Sequence, residues 1–249
     1  MHLAAWQWGL LSAGAFVTGL SKTGIAGLGV LAVALFANAL PARQSTGALL
    51  PLLLCADVFG VAFFRKHASW PHLWKLFPWV IIGVVIGYLT LGRLTNEVVQ
   101  RMIAVILLAM IGLHFWRQHR LSARPGVTDT LPQTWWFGAI TGVLAGFTTM
   151  VANAAGPVMI LYLLAIGLPK LAFIGTSAWF YMCVNAFKVP FSVNLDLISQ
   201  PSLMMDALLV IPMLPGALLG PVILRHLNQR TFERMALGLT VLAALRLLA

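Results

Sequence analysis

Two lysines, one aspartate and two polar interruptions of apolar sequence are the features of this chain that could do chemistry. Lys22 stands in Ser21-Lys22-Thr23-Gly24-Ile25-Ala26-Gly27, and Asn153 in Ala152-Asn153-Ala154-Ala155-Gly156. A helix that stops inside apolar surroundings leaves its first N–H groups without acceptors. Its dipole adds partial positive charge at the same point, so such a tip holds an anion without a special side chain. Lys22 would add a full charge. Ser21, Thr23, Thr148, Thr149 and Asn153 would add donors, and Gly24, Ala154 and Gly156 would let backbone approach a ligand. The competing reading is structural: small residues let helices pack closely, and hydroxyls bond the backbone of their own helix.

Asp57 lies in the middle of an apolar segment, where a carboxylate is expensive and usually functional. It suits proton coupling, or an ion pair with Lys22 or Lys188. Asn185 is its counterpart in the second half of the chain. Thr46 and Thr176 precede these two positions and would line the same path. Lys188, near the end of the segment 171–190, is expected to reach outward to the interface. Asp206 is expected about a turn inside the membrane, and Trp179 in mid-segment is either helix packing or a gate.

The elements that must position these residues are membrane helices. The chain has 249 residues, 60% hydrophobic and 9% charged, with a mean hydropathy of +0.92. A soluble domain carries about 25% charged residues, so there is too little polar surface here for a water-soluble globule. Apolar segments near 45–64, 74–92, 98–116, 171–190, 203–224 and 232–248 approach the ~20 residues of a span. The pieces 28–39 and 157–167, which follow the two interruptions, are too short. Discontinuous helices or re-entrant hairpins are expected there. Cys55 and Cys183 fall in apolar segments without metal spacing and read as small core side chains. No H-E-x-x-H, G-x-S-x-G or P-loop pattern occurs, so neither an enzyme nor a metal or other cofactor is expected. The net charge of +10 is spread between apolar segments, which argues against nucleic acid as a partner.

The two halves resemble each other. Gly19 aligns with Gly146, Gly47 with Gly175, Cys55 with Cys183 and Asp57 with Asn185. Gly83 aligns with Gly216, Gly87 with Gly220, and Arg101-Met102 with Arg234-Met235. The expected fold is an all-α polytopic membrane protein of two inverted-topology repeats. Each repeat holds a broken or re-entrant helix pair plus three transmembrane helices. The first repeat is 1–118, a cytoplasmic linker 119–133, and the second repeat 134–249. An odd number of crossings per half inverts the second. With the termini periplasmic and each broken pair returning to its own side, the basic residues gather inside by about two to one, as orientation requires. Seven of the nine tryptophans, Trp6, Trp8, Trp70, Trp74, Trp116, Trp135 and Trp136, fall at segment ends, where interfacial rings belong.

At these motifs the chain resembles the sulfite exporter TauE/SafE family, within the toluene sulfonate uptake permease superfamily. The resemblance rests on Gly19-Leu20-Ser21-Lys22-Thr23-Gly24 with Gly27 and Gly29, and on Ala56-Asp57 followed by Phe64-Arg65-Lys66-His67 and Trp70. It continues through the run from Gly146 to Pro157, and Gly167-Leu168-Pro169-Lys170 with Gly175-Thr176. It implies a bacterial inner-membrane permease for sulfite, sulfonates or related small sulfur-containing or organic anions, working without ATP. The expectation is a secondary transporter, proton-coupled through Asp57, with alternating access around the paired half-helix tips. An anion channel of the same architecture is the alternative. The expected partners are the anionic substrate and the bilayer, with a homo-oligomer left open.

Overall fold

The computed structural model describes residues 3–91, 112 and 135–248, and every regular element among them is helical. In chain order these are α1 (Ala5–Thr23), α2 (Gly29–Ala39), α3 (Ala42–Phe64), a 3-10 turn (Arg65–His67), α4 (Trp70–Thr90), α5 (Trp135–Ala152), α6 (Ala155–Ala165), α7 (Lys170–Asn194), α8 (Gln200–His226) and α9 (Gln229–Leu248). Apart from residue 112, the segment 98–116 with Arg101-Met102, and the linker 119–133, lie outside the described residues.

Both polar interruptions end a helix. α1 stops at Thr23 and α2 starts at Gly29; α5 stops at Ala152 and α6 starts at Ala155. The first pair folds back on itself. Gln7 Nε2 donates to Ala39 O at 2.8 Å, Gly14 faces Phe36, and Gly29 faces Ser21. The second pair does the same, with Phe137 and Tyr162 stacked at 5.8 Å between centroids. α2 and α6 have 11 residues each. At 1.5 Å per residue that is roughly 16 Å, about half of a ~30 Å hydrocarbon layer. The turns need unusual backbone. Gly27 has φ +99°, where a Cβ would also press on Leu239 at 2.8 Å. Asn153 has φ 51°, a conformation that asparagine tolerates better than most residues.

Glycine lets the hairpins cross their neighbours backbone to backbone. α1 runs alongside α8 in the same direction, with Gly19 against Met213 and Ala217, and Gly24 against Gly220. α4 runs alongside α5 in the same way, with Gly146 against Val80 and Gly83 against Val143. A methyl group at any of these glycines would collide with a carbonyl or backbone atom of the facing helix. Close approach of this kind drives helix association where lipid gives no hydrophobic incentive. Pro221 removes the N–H that would bond Ala217 O; Thr23 Oγ1 donates to that carbonyl at 2.9 Å instead.

Between these crossings α3 and α7 lie against each other in opposite directions. Gly47 meets Leu197, Asp57 meets Asn185, and Gly175 meets Phe64 and His67. One end of the bundle gathers basic residues. Ser69 N donates to Thr176 Oγ1 at 2.9 Å, and Lys170 Nζ donates to Leu224 O at 2.9 Å and also to Leu227 O. These bonds bring Arg65, Lys66, Lys170 and Arg225 to the same end.

Among the described residues, four helical stretches are long and apolar enough to cross a membrane: 44–67, 70–90, 135–152 and 200–226. Their outward faces are apolar. Ile82, Ile86 and Leu89 of α4 and Met204, Leu208, Ile211, Leu218 and Val222 of α8 are all exposed. So large an apolar surface is the mark of lipid contact. Trp6, Trp74 and Trp135 are exposed near helix ends, as interfacial anchors are. Cys55 is also exposed. It is not the core side chain expected from sequence, because its position on α3 is left uncovered by the neighbouring helices.

Candidate functional site

Lys22 occupies the last turn of α1, one helix away from Asp57 in the middle of α3. Its Nζ lies 2.8 Å from Asp57 Oδ1, with the two side chains 10% and 0% exposed. At that distance the ammonium and the carboxylate form a charge-assisted pair. The other oxygen, Oδ2, accepts from Asn185 Nδ2 at 2.6 Å. Lys22 Nζ also stands 3.9 Å from the ring centroid of Tyr181, a distance at which the ring face attracts a cation.

A second cluster faces the first. Lys188 on α7 is 1% exposed. Its Nζ donates to Asn153 Oδ1 at 2.6 Å and to Thr149 Oγ1 at 3.2 Å. Asn153 Nδ2 in turn donates to Thr46 O at 2.8 Å, which ties the tip of the second hairpin to α3. The amide is therefore oriented at both ends. Two amines and one carboxylate thus share the centre of the molecule, and the partners of Lys188 are neutral oxygens.

A cavity of about 60 Å³ lies between the two hairpin tips. Ser21, Lys22 and Gly29 line it from the first hairpin, and Thr149, Asn153 and Gly156 from the second; Tyr181 and Asn185 line it from α7. One water needs about 10–15 Å³ of such space, so the cavity has room for several waters or one small oxyanion. The first turns of α2 and α6 begin at its wall; Val30, Leu31 and Ala32 of α2 donate to Gly27 O and Leu28 O, while the first turn of α6 leaves its leading N–H groups without an intrahelical acceptor. Dipole ends, an ammonium, a hydroxyl and two amides converge on one space. That donor set is complementary to negative charge.

The structure sorts the residues singled out from sequence. Ser21, Lys22, Thr149, Asn153, Gly156 and Asn185 line the cavity; Asp57 stands behind Lys22, and Lys188 behind Asn153. Thr23 and Gly24 belong instead to the crossing with α8, and Thr148 bonds Leu144 O at 2.8 Å in its own helix. Ala154 is buried at the start of α6. Thr176 anchors the turn before α4, and Thr46 contributes a backbone carbonyl rather than its side chain to Asn153. Lys188 does not reach outward as expected. α7 continues to Asn194 with Pro190 inside it, so the lysine sits well within the helix and turns inward. Tyr181 was not singled out. Its signal was its spacing: Ser177, Tyr181, Asn185 and Lys188 recur at intervals of four, four and three, which is one helix face.

Two further groups are polar and buried. Asp206 is 4% exposed with neither carboxylate oxygen bonded, and Trp179 Nε1 is likewise without a partner. Trp179 packs on Trp70 at 5.1 Å, which fits the packing reading of that residue.

Spanning helices with lipid-facing surfaces around a central polar cluster define a multi-pass membrane protein. The family description Sulfite exporter TauE/SafE matches residues 11–247, nearly the whole chain, and the protein belongs to that family. No curated protein and no solved structure matches it.

Proposed function

We propose that this protein is a secondary transporter of a small sulfur-containing or organic anion, in which substrate binds between the two hairpin tips. The observation that carries the reading is the cavity itself. Both tips open onto it, Lys22 lines it directly, and Lys188 reaches it through Asn153 and Thr149. An arriving anion competes with Asp57 for Lys22, because the ammonium that lines the cavity is the one that pairs with this carboxylate. A released carboxylate in apolar surroundings takes up a proton rather than remain unpaired. Anion and proton movement are coupled in this scheme.

Alternating access comes from one repeat rocking against the other, 1–118 against 134–249, with the linker 119–133 in the cytoplasm. Several contacts support the inverted arrangement. The counterparts Asp57 and Asn185 touch, as mates can only near a two-fold axis. The helices that carry them run in opposite directions. The crossings α1 with α8 and α4 with α5 exchange under the repeat, glycine for glycine. The basic end containing Arg65, Lys66, Lys170 and Arg225 supports a cytoplasmic placement and periplasmic termini in a bacterial inner membrane.

Flux of sulfite, thiosulfate, sulfonates and carboxylates into proteoliposomes, with and without a pH gradient, tests the reading. Lys22→Ala and Asn153→Ala should each abolish accumulation of the transported anion. Undiminished flux in both variants removes the proposed site.

A further inference from the structure

A second, larger cavity lies away from the transport site. It measures about 380 Å³ and opens at the basic end of the bundle. Its walls are the end of α3, the start of α7 and the end of α8, contributed by Phe63, His67, Lys170, Leu171, Pro221 and Arg225. No carboxylate is among its described lining residues. Lys170 spends two of its ammonium protons on Leu224 O and Leu227 O, which leaves one donor free of the three an ammonium has. Arg225 is exposed beside it, with a planar fork suited to phosphate oxygens.

The floor and flanks of the same cleft are apolar and face lipid. Phe63 is 43% exposed, Leu171 40%, and Val222 of α8 51%. Along α8 the exposed residues continue from Val222 to Leu219, Leu218 and Ile211, and α3 adds Val58. A cationic mouth at the membrane surface thus opens onto an unbroken apolar track running into the hydrocarbon layer. A soluble anion would use only the mouth, whereas a phospholipid uses both.

We propose that this cleft is a binding site for an anionic phospholipid of the inner leaflet. Its headgroup phosphate is held by Arg225 and Lys170 with His67 beside them, and an acyl chain lies along α8. Basic pockets between spanning helices on the cytoplasmic side recognise lipid headgroups in this way. The site is independent of the substrate cavity, and its assignment to the inner leaflet rests on the proposed cytoplasmic placement of the basic end.

Thermal unfolding of delipidated protein in detergent tests it, with phosphatidylglycerol, phosphatidylcholine or inorganic phosphate as the titrant. Phosphatidylglycerol should raise the melting temperature through mass action, and the other two should not. Arg225→Gln should shift the phosphatidylglycerol titration to concentrations ~10-fold higher, the loss expected for one charge-assisted bond. Arg230→Gln, an exposed arginine outside the cleft lining, should leave the titration in place. Native mass spectrometry should show phosphatidylglycerol co-purifying with the wild type and reduced in Arg225→Gln. Equal stabilisation by phosphatidylcholine or by phosphate would overturn the assignment, as would an Arg225→Gln titration matching the wild type.

Discussion

Replacing Lys22 by methionine strands the carboxylate of Asp57, which is 0% exposed and keeps only Asn185 as a hydrogen-bond partner. Removing one member of a buried ion pair typically costs ~3–5 kcal/mol, much of it the penalty for the charge left behind. At ~2–4 °C per kcal/mol for a chain of this size, the melting temperature should fall by roughly 6–20 °C. Asp57→Asn should be comparably harmful, because the ammonium of Lys22 is then unpaired, although the new amide oxygen still accepts from Asn185. The double variant Lys22→Met/Asp57→Asn leaves neither charge behind and should be more stable than either single one. Unfolding followed by tryptophan fluorescence in detergent, combined as a double-mutant cycle, reads the coupling. Single losses that simply add, within ~0.3–0.5 kcal/mol, would refute the pair. Transport separates structure from function. If the double variant regains stability but carries no anion, the pair serves transport and not only stability. If it regains both, the lysine is only a structural partner and the proposed site fails.

Three further outcomes follow from the packing and the site. Gly19→Ala and Gly146→Ala should each cost ~1–3 kcal/mol as overpacking, because both new methyl groups meet facing carbonyls; Gly138→Ala, with nothing within 4 Å, should be neutral in the same melting assay. Thr149→Val should depress anion flux by removing a partner of Lys188, whereas Thr148→Val, whose hydroxyl serves its own helix, should leave flux close to wild type; equal effects would separate Lys188 from transport. In a background lacking Cys55 and Cys183, a cysteine at Lys66 should react with an impermeant thiol reagent only from the cytoplasm and one at Ser199 only from the periplasm; labelling of both from one side would overturn the topology.

The two interruptions were legible because glycine, lysine and asparagine have no ordinary place inside a continuous apolar span, and both do end helices. The encounter of Asp57 with Asn185 was half visible, since the internal alignment matched them without showing that they touch. Lys188 was misplaced because hydropathy ended its segment near residue 190, whereas the helix runs on through Pro190 to Asn194. Proline breaks helices in water, but inside a bundle neighbouring groups satisfy what it frees. Thr23 and Gly24 looked like ligands for the same reason that they pack well: they are small, and small residues serve both purposes. Only the facing glycine on α8 decides between them, and it lies almost two hundred positions further along the chain.

That separation has a consequence for how the protein is made. The glycine face of α1 emerges from the ribosome almost two hundred residues before that of its partner α8. α4 must likewise wait for α5 across the intervening stretch. Neither half can therefore complete its packing alone, and α1 waits for its mate while the intervening helices are made. Late assembly of this kind favours protection by the insertion machinery and exposes a truncated chain to quality control. It also means that two separately expressed halves would have to interlock rather than dock as finished units.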